Sequence, residues 1–521
     1  MLTEQETRLE KLKKIISQNI NPYPASVKRT HSIKKVLDNF DQLFKNETKI
    51  ILVGRLRSIR LHGGSCFAHL EDEKEKIQLF FRKDVLSNKP FDYNFLKDLI
   101  DIGDFIEVEG TLFLTKREEK TLLINSFKLI SKALRPLPEK WHGIQDEEEK
   151  LRKRYLDILF NPEVREMIEK KAKFWNTVRA FLIKKGFLEV ETPILENVTG
   201  GADARPFLTH HNALDIDVYL RISMGELWQK RLMIAGFEKT FEIGRQFRNE
   251  GMDAEHLQDY TQMEFYWAYV DYKMGMKLVE ELFKNVAQEV FGTLKFKIGE
   301  FDIDLDKKWE IYDYRETVKK YTGIDILKTN IKKIEEKLKE LNIKYDTKGF
   351  NITRAIDNLW KYCRKQIAGP GFLTGVPIAI SPLAKKNEHN PEITQRFQPI
   401  IAGTELGNGY SELNDPVDQA QRFKEQQKLK EAGDEEAQMY DYDFVEAMEY
   451  GMPPVCGFGM SERVFSFLMN KTSRECQIFP LMKLKNQLTD NNQQLTIKKS
   501  KETKIAVAII NKELNLKPGK K

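Results

Sequence analysis

The residues best suited to chemistry fall in three short stretches. The first is a pair of strand-like segments around a polar loop, K-T-F-E-I-G-R-Q-F-R-N-E-G from Lys239 and Y-T-Q-M-E-F-Y-W-A-Y-V-D-Y ending at Tyr272. Side chains alternate faces along a strand. Phe241, Ile243 and Phe247 therefore share one face, as do Met263, Phe265 and Trp267. The opposite faces carry Glu242, Gln246 and Arg248, and Gln262, Glu264 and Tyr266. Such a hairpin is either a solvated antiparallel sheet or the floor of a site for a charged small molecule. Arg248-Asn249-Glu250-Gly251 at the start of the loop and His256 within it favour the second reading.

The second stretch is Thr404-Glu405-Leu406-Gly407-Asn408-Gly409-Tyr410-Ser411-Glu412. Asn408, Tyr410 and Glu412 share strand parity and Glu405 does not, so a kink at Gly407 to Gly409 must turn the two carboxylates toward one point. Two such carboxylates suit Mg²⁺, an oxygen-seeking ion often shared with substrate phosphates; the alternative is two unrelated surface acids. The third stretch, Cys456-Gly457-Phe458-Gly459-Met460-Ser461-Glu462-Arg463, runs from a strand into a helix. A cation in a helix's first turn opposes the macrodipole, so Arg463 needs a ring or a phosphate to explain it.

These stretches need a scaffold. Glu4 to Ile20 has helical spacing, with Leu9, Leu12, Ile16 and Ile20 in one stripe. Short apolar runs at 50–53, 66–70, 77–81, 105–109 and 122–124, punctuated by Gly54, Gly63-Gly64, Gly103 and Gly110, read as five strands of an OB-type barrel. Arg55, Arg57 and Arg60 accompany Phe67 and Gln78 there. Cations with an aromatic platform suit single-stranded nucleic acid, although Phe67 reads equally as core. A proline-containing connector follows, from Arg135 to Glu149. Ile168 to Lys185 returns to helical spacing, with Ala172, Trp175, Val178 and Leu182 in line and Gly186 as cap. Phe187 to Pro193 reads as a strand stopped by proline, Gly200-Gly201-Ala202 as a turn, and Leu214 to Ile222 as a further strand. Glu226 opens a helix that carries Leu227, Lys230 and Arg231.

The resulting division is an N-terminal helical segment (1–48), an OB barrel (49–135), a linker (136–165), a large domain (166–485) with a peripheral insertion at about 273–370, and a polar, basic tail (486–521). The chain has 521 residues, 41% hydrophobic and 31% charged, and a net charge of +6 that permits a polyanionic partner without demanding one. No apolar run reaches membrane-span length, and the charged N-terminus does not read as a signal peptide. Cys66, Cys363, Cys456 and Cys476 are scattered, with no paired spacing; they read as free thiols of a cytoplasmic protein.

Together these blocks resemble a class II aminoacyl-tRNA synthetase, specifically the lysyl-tRNA synthetase family. The resemblance runs from about residue 5 to about residue 484. It is most specific at K-A-L-R-P-L-P-E-K-W-H-G (132–143), E-V-E-T-P-I-L (189–195), G-G-A-D-A-R-P-F-L-T-H-H-N-A-L-D (200–215), F-R-N-E-G (247–251) and E-L-G-N-G-Y-S-E-L-N-D-P-V-D-Q-A-Q-R-F (405–423). It implies an α+β fold: an N-terminal OB-fold β-barrel plus a class II catalytic domain, a mostly antiparallel sheet flanked by helices. It also implies a homodimer formed through the helix and strand at 168–193. The implied reaction has two steps, lysine and ATP giving lysyl-adenylate and pyrophosphate, then transfer of lysine to the terminal ribose of lysine tRNA.

The resemblance also implies roles by position. Arg248 bridges the lysine carboxylate and the α-phosphate. Glu250 takes the adenine amino group, His256 meets the outer phosphates, Tyr260 stacks near the base and Arg463 covers its other face. Glu405 and Glu412 hold Mg²⁺. Gly201 and Glu226 receive the α-amino group, and Glu264, Tyr266, Asn408, Tyr410 and Glu412 surround the lysine side chain. Arg55, Arg60, Phe67 and Gln78 contact the anticodon arm of the tRNA. Relatives selecting aspartate or asparagine share this layout, but an anionic side chain would want a cation where Glu264 and Glu412 stand. The chain departs from the family pattern in three places. Arg221-Ile222-Ser223-Met224-Gly225-Glu226-Leu227 has one extra residue and lacks a proline. His256-Leu257-Gln258-Asp259-Tyr260 replaces the commoner His-Asn-Pro-Glu-Phe. Ser461 replaces the third glycine before Arg463, which itself comes one residue early.

Overall fold

The computed structural model describes residues 2–73, 75–87, 90–138, 146–202, 204–251, 256–345, 350–432 and 437–483. It divides into two compact units, Met1–Gln145 and Asp146–Lys521. The tail expected at 486–521 lies outside the described residues.

The first unit opens with α1 (Glu4–Ser17), started by a capping box in which Thr3 and Glu6 each satisfy the other's backbone N–H. Its buried stripe is Arg8, Leu12 and Ile15, rotated by one residue from the expected Leu12–Ile16 pairing, so Ile16 stays exposed. Helices α2 (Ile33–Asp38) and α3 (Phe40–Lys45) precede strands β1 (Ile50–His62), β2 (Ser65–Glu71) and β3 (Lys76–Arg82). Then come α4 (Tyr93–Leu99), β4 (Phe105–Leu114) and β5 (Lys120–Ser131). The strands close into a barrel in the order β1-β2-β3-β5-β4. They run well past the expected segments, because Gly54 and Gly110 do not end them: each is a paired residue inside its strand, opposite Ile106 and Ile50. Alternation is strict on β2, with Cys66, Ala68 and Leu70 inside and Phe67 and His69 outside.

In the second unit the expected linker is partly helical, as α5 (Glu147–Arg152) and α6 (Arg154–Phe160). Helix α7 (Pro162–Lys184) follows, buried through Met167, Phe174, Val178 and Leu182; Phe174 takes the place expected for Ala172, which is exposed. Short strands β6 (Leu188–Glu189), β7 (Leu195–Glu196), β8 (Phe207–His211) and β9 (Ile216–Leu220) lead to α8 (Glu226–Ile234). Strands β10 (Lys239–Phe247) and β11 (Asp259–Ala268) form the expected hairpin, followed by α9 (Tyr272–Val286). A small hairpin, β12 (Lys295–Ile298) and β13 (Phe301–Asp304), precedes β14 (Glu310–Asp313). Helices α10 (Tyr314–Thr322), α11 (Ile331–Glu340) and α12 (Ile352–Arg364) come next. The chain finishes with β15 (Gly371–Thr374), β16 (Arg396–Ile401), β17 (Thr404–Glu405), β18 (Asn408–Ser411), α13 (Pro416–Glu431), α14 (Tyr442–Glu449), β19 (Val455–Ser461) and α15 (Arg463–Leu468).

The main sheet has the order β14-β15-β16-β18-β19-β11-β10-β6, with β17 paired to β16. It is antiparallel except at β14–β15 and β10–β6. Its apolar face carries Phe241, Met263, Phe265, Phe458 and Met460, packed with Phe174, Val178 and Leu182 of α7 and Leu278, Val279, Leu282 and Phe283 of α9. The segment from 273 is therefore not peripheral: α9 belongs to the central core and β14 extends the sheet. Helices α10 to α12 are the true insertion, with their own cluster around Tyr314, Ile334, Leu338, Leu359 and Trp360. All four cysteines are buried, Cys66 in the barrel, Cys363 in the insertion and Cys456 and Cys476 in the central core. Among the described residues no helix is long and apolar enough to cross a membrane.

Candidate active site

A cavity of about 430 Å³ opens on the polar face of the main sheet. The β10–β11 register places Glu242 opposite Glu264 and Gln246 opposite Tyr260. The polar face of this hairpin nevertheless divides. Arg248, Tyr260, Gln262, Glu264 and Tyr266 line the cavity. Glu242 serves the scaffold instead: its carboxylate accepts from Arg221 Nη1 at 2.7 Å and Thr192 Oγ1 at 2.6 Å, all buried or nearly so.

One end of the cavity is acidic and enclosed. Glu264 Oε1 accepts from Ser223 Oγ (3.1 Å), Met224 N (3.1 Å), Gln246 Nε2 (3.1 Å) and Gln262 Nε2 (2.6 Å). Oε2 accepts from Tyr266 OH at 3.1 Å. Burial, and then the charge of Glu226, push the Glu264 carboxyl up to about 7 against these donors. Tyr410 OH donates to Glu226. Burial and the neighbouring carboxylates push the Tyr266 and Tyr410 hydroxyls well above the ordinary range, so both remain donors. Gly201 lines this end at φ +87°, where a Cβ would lie within 3.0 Å of Ser223 and Glu226 side-chain atoms.

Behind this end stands Lys230, which the sequence reading placed on the helix without a role. It is 1% exposed and absent from the cavity wall. Its Nζ lies 2.5 Å from Glu412 Oε2 and 3.1 Å from Glu226 Oε1. Burial opposes its charge, but Glu412 and Glu226 outweigh burial and raise its pKa. Burial in turn raises the Glu412 carboxyl against the pull of Lys230. The i,i+4 spacing of Glu226 and Lys230 was readable as a helix-surface pair. Their burial under β18 and α14 was not.

The rest of the wall carries both signs, with Arg248, Arg396 and Arg463 against Glu250, Glu405 and Glu462. Arg248 Nε donates to the Ile222 carbonyl at 3.2 Å, and its guanidinium carbon lies 5.7 Å from the centre of the Tyr260 ring. Glu250 and His256 lie on the exposed rim, and Arg463 opens α15 with its backbone N–H on Ser461 Oγ at 3.3 Å. Arg396, unassigned from the sequence, also lines the cavity and fixes Asn408 by a 2.7 Å bond from Nε to Oδ1. The expected kink exists: β17 pairs with β16 alone and β18 turns to pair with β16 and β19, so Glu405 and Glu412 reach one cavity from opposite parities. Thus Gly201, Glu226, Arg248, Glu250, His256, Tyr260, Glu264, Tyr266, Glu405, Asn408, Tyr410, Glu412 and Arg463 all line it. Gly225, the N-cap of α8, stands in the left-handed region at φ +66°; a Cβ there would lie 2.6 Å from Thr192 Oγ1.

Glu405 and Glu412 both line the cavity, and carboxylate oxygens are the donor type that Mg²⁺ takes and shares with phosphates. Among the described residues no group of three or more His, Cys, Asp or Glu is gathered for a metal, so the pair is not a closed protein cage.

In the first unit, Arg60 pairs in register with Phe67, Phe67 with Phe80, and His69 with Gln78, all on the outward barrel face. Phe67 stacks on Phe80 with ring centroids 4.5 Å apart and lies outside the barrel core, which removes the core reading. Gln78 is 9% exposed, its Oε1 held by Thr121 Oγ1 at 2.9 Å. Arg55 lies farther along the same face, over the Phe105 ring at 4.3 Å.

Comparison with known proteins agrees with both units. Residues 146–483 match the family of class II tRNA synthetases (D, K and N), and residues 50–130 match the OB-fold nucleic acid binding domain. A lysine–tRNA ligase of Thermosipho africanus is 44% identical over 93% of this chain and 97% of its own length. Lysine–tRNA ligases of Thermotoga maritima (43%; 93% and 97%) and of a Roseiflexus species (42%; 92% and 98%) are similarly related.

Proposed function

The chain belongs to the class II tRNA synthetases of the aspartate, lysine and asparagine group, among the lysine–tRNA ligases, and from that premise we propose how its cavity performs the reaction. It is an ATP-dependent ligase for lysine and tRNA. The observation that carries the residue roles is the make-up of one cavity: Glu226, Glu264 and Glu412 buried at one end, Arg248 and Arg463 on the rest of the wall.

Lysine brings two ammonium groups. Glu226, beside Gly201, receives the α-ammonium. Glu264 Oε2, Glu412 and the hydroxyls of Tyr266 and Tyr410 surround the side-chain ammonium, with Asn408 held in place by Arg396. Lys230 is one cation against the three carboxylates Glu226, Glu264 and Glu412, so a neutral side chain would leave buried negative charge without a counter-ion, which rejects it without a steric wall. The lysine carboxylate then attacks the α-phosphorus in line; the bond to pyrophosphate breaks and lysyl-adenylate forms. Both reactants are anions, so Arg248 lies where it neutralises and aligns them. Tyr260 and Arg463 sandwich the adenine, Glu250 takes its amino group and His256 meets the outer phosphates. Glu405 and Glu412 would hold Mg²⁺, which supplies charge neutralisation to the phosphates when bound. In the second step the terminal ribose hydroxyl of the tRNA attacks the lysyl carbonyl and AMP leaves.

The outward face of the barrel carries the anticodon contacts. Phe67→Ala should weaken tRNA binding by about 1–3 kcal/mol through lost base stacking and leave lysine activation unchanged. Filter binding and pyrophosphate exchange on the same sample check both halves, and undiminished tRNA affinity removes Phe67 from the interface. A homodimer is supported by the exposed Leu188, Ile194, Leu195, Leu208, Leu214 and Ile216 on and beside β6 to β9. Free thiols and membership of a translation family support a cytoplasmic location.

The selective test is ATP–pyrophosphate exchange with each amino acid in turn. Exchange is expected with lysine alone. Exchange with aspartate or asparagine in place of lysine would overturn the assignment of the acidic end.

A further inference from the structure

Glu405 is held from outside the cavity that it lines. Trp360, on α12, donates its indole N–H to Glu405 Oε1. The indole is 3% exposed and stacks on Tyr314 of α10, with centroids 4.8 Å apart and planes at 27°. Trp360 does not belong to the main cavity wall. It lines a second cavity of about 290 Å³, and Glu405, Arg396 and Gln398 are common to both. Glu405 is thus part of the partition between the two spaces, and its N–H donor comes from the insertion side.

The backbone around Glu405 is bound to the same helix end. Strand β17 is only two residues long and pairs with β16 alone. The turn before it is tied to the chain at and after the end of α12. Gly403 N–H donates to the Ile367 carbonyl at 2.7 Å, Ala402 N–H to the Ala368 carbonyl at 2.6 Å, and Arg364 Nη1 to the Gly403 carbonyl at 3.1 Å. A two-residue strand does not by itself select a rotamer for a long acidic side chain. A charge-assisted bond from a rigid, stacked indole does.

We propose that Trp360 is a positioning residue for the activation step: it fixes the Glu405 carboxylate by one oxygen, leaves the other to the cavity, and so makes the helical insertion part of the nucleotide site. This rests on the reading of Glu405 as a magnesium ligand. Partners that orient a metal's ligands commonly change metal affinity by 10–100-fold when removed. Trp360 touches no reacting atom. Its effect should appear in the magnesium dependence and not in lysine recognition, since Glu226, Glu264 and Glu412 do not contact it.

The test is Trp360→Phe, which removes the N–H and keeps a ring to pack on Tyr314. ATP is titrated calorimetrically without lysine, so no chemistry occurs, over a series of Mg²⁺ concentrations. The Mg²⁺ needed for half-maximal ATP binding should rise about tenfold. The lysine KM in exchange, at saturating Mg²⁺, should stay within twofold of wild type. Glu405→Gln is measured beside it. A shift in Glu405→Gln with none in Trp360→Phe overturns the proposal and leaves the metal reading standing; no shift in either removes both. A Trp360→Phe enzyme with raised lysine and ATP KM at saturating Mg²⁺ would mark a loosened insertion and would also overturn it. If Trp360→Phe does not fold, Trp360→Met, which also lacks a donor, replaces it, with the same shift expected.

Discussion

Arg248→Ala should lower ATP–pyrophosphate exchange at least a hundredfold, about 3 kcal/mol of barrier, while the protein stays folded. The lysine carboxylate and the α-phosphate repel, and the proposed site offers Arg248 to both. Its Nε is anchored on the Ile222 carbonyl and its plane lies near Tyr260, so the side chain is placed before substrate arrives. Pre-placement is what makes a charged donor effective, because no reorganisation is needed at the moment of reaction. The loss of stability should be small, since Arg248 is only half-buried and its side chain is anchored on a backbone carbonyl. Binding of tRNA through the barrel should also survive, as that surface lies in the other unit. Exchange within tenfold of wild type would remove Arg248 from the reacting centre.

Glu412→Gln is expected to act on two properties at once. The carboxylate lines the cavity and is also the close partner of buried Lys230. Breaking a buried pair by neutralising one member typically costs about 3–5 kcal/mol; Glu226 remains beside Lys230, so the loss should fall at the lower end. A clear drop in the thermal midpoint is therefore expected. The lysine KM should rise at least tenfold, the size of one lost charge-assisted bond, and the Mg²⁺ requirement should rise with it. Glu405→Gln should raise the Mg²⁺ requirement alone, since Glu405 is half-buried and has no part in the lysine end. Both dependences are measured with the other ligand saturating. Equal lysine KM values for wild type and Glu412→Gln would place the ammonium elsewhere, with Glu264 Oε2 the next candidate because Tyr266 is its single donor among the described residues.

Parity carried much of this site. The alternation along β10 and β11 separates core from cavity, and the parity break between Glu405 and Glu412 demands the kink that β17 and β18 contain. Alternation on β2 likewise predicts a barrel with Phe67 outside or inside, and only the burial of Cys66, Ala68 and Leu70 in the barrel core decides it. What parity cannot reveal is the partner of a buried charge. Glu242 and Glu264 stand opposite each other on one face of the β10–β11 hairpin, yet Glu242 is consumed by Arg221 and Glu264 is left to the cavity. Lys230 meets Glu412 across 182 positions of chain (412 − 230), and Trp360 meets Glu405 from a stretch that reads only as a peripheral insertion. The insertion begins later than the mixed character of 273–370 suggests, for a related reason: Leu278, Leu282 and Phe283 of α9 pack into the central core.

The placement of the cysteines makes the native protein a set of timers. Each of three separate apolar clusters holds at least one thiol, and none is exposed. Burial pushes Cys66 up to about 11 and Cys363 and Cys476 up to about 12, so the closed state presents almost no thiolate to an alkylating reagent. Labelling then requires that the surrounding cluster open first. Pulsed alkylation followed by peptide mapping would read the opening rates of the barrel, the insertion and the catalytic core separately, in one tube, with no engineered probe. A substrate that closes the cavity over β18 and β19 would slow the Cys456 timer and leave the Cys66 timer running at its own rate.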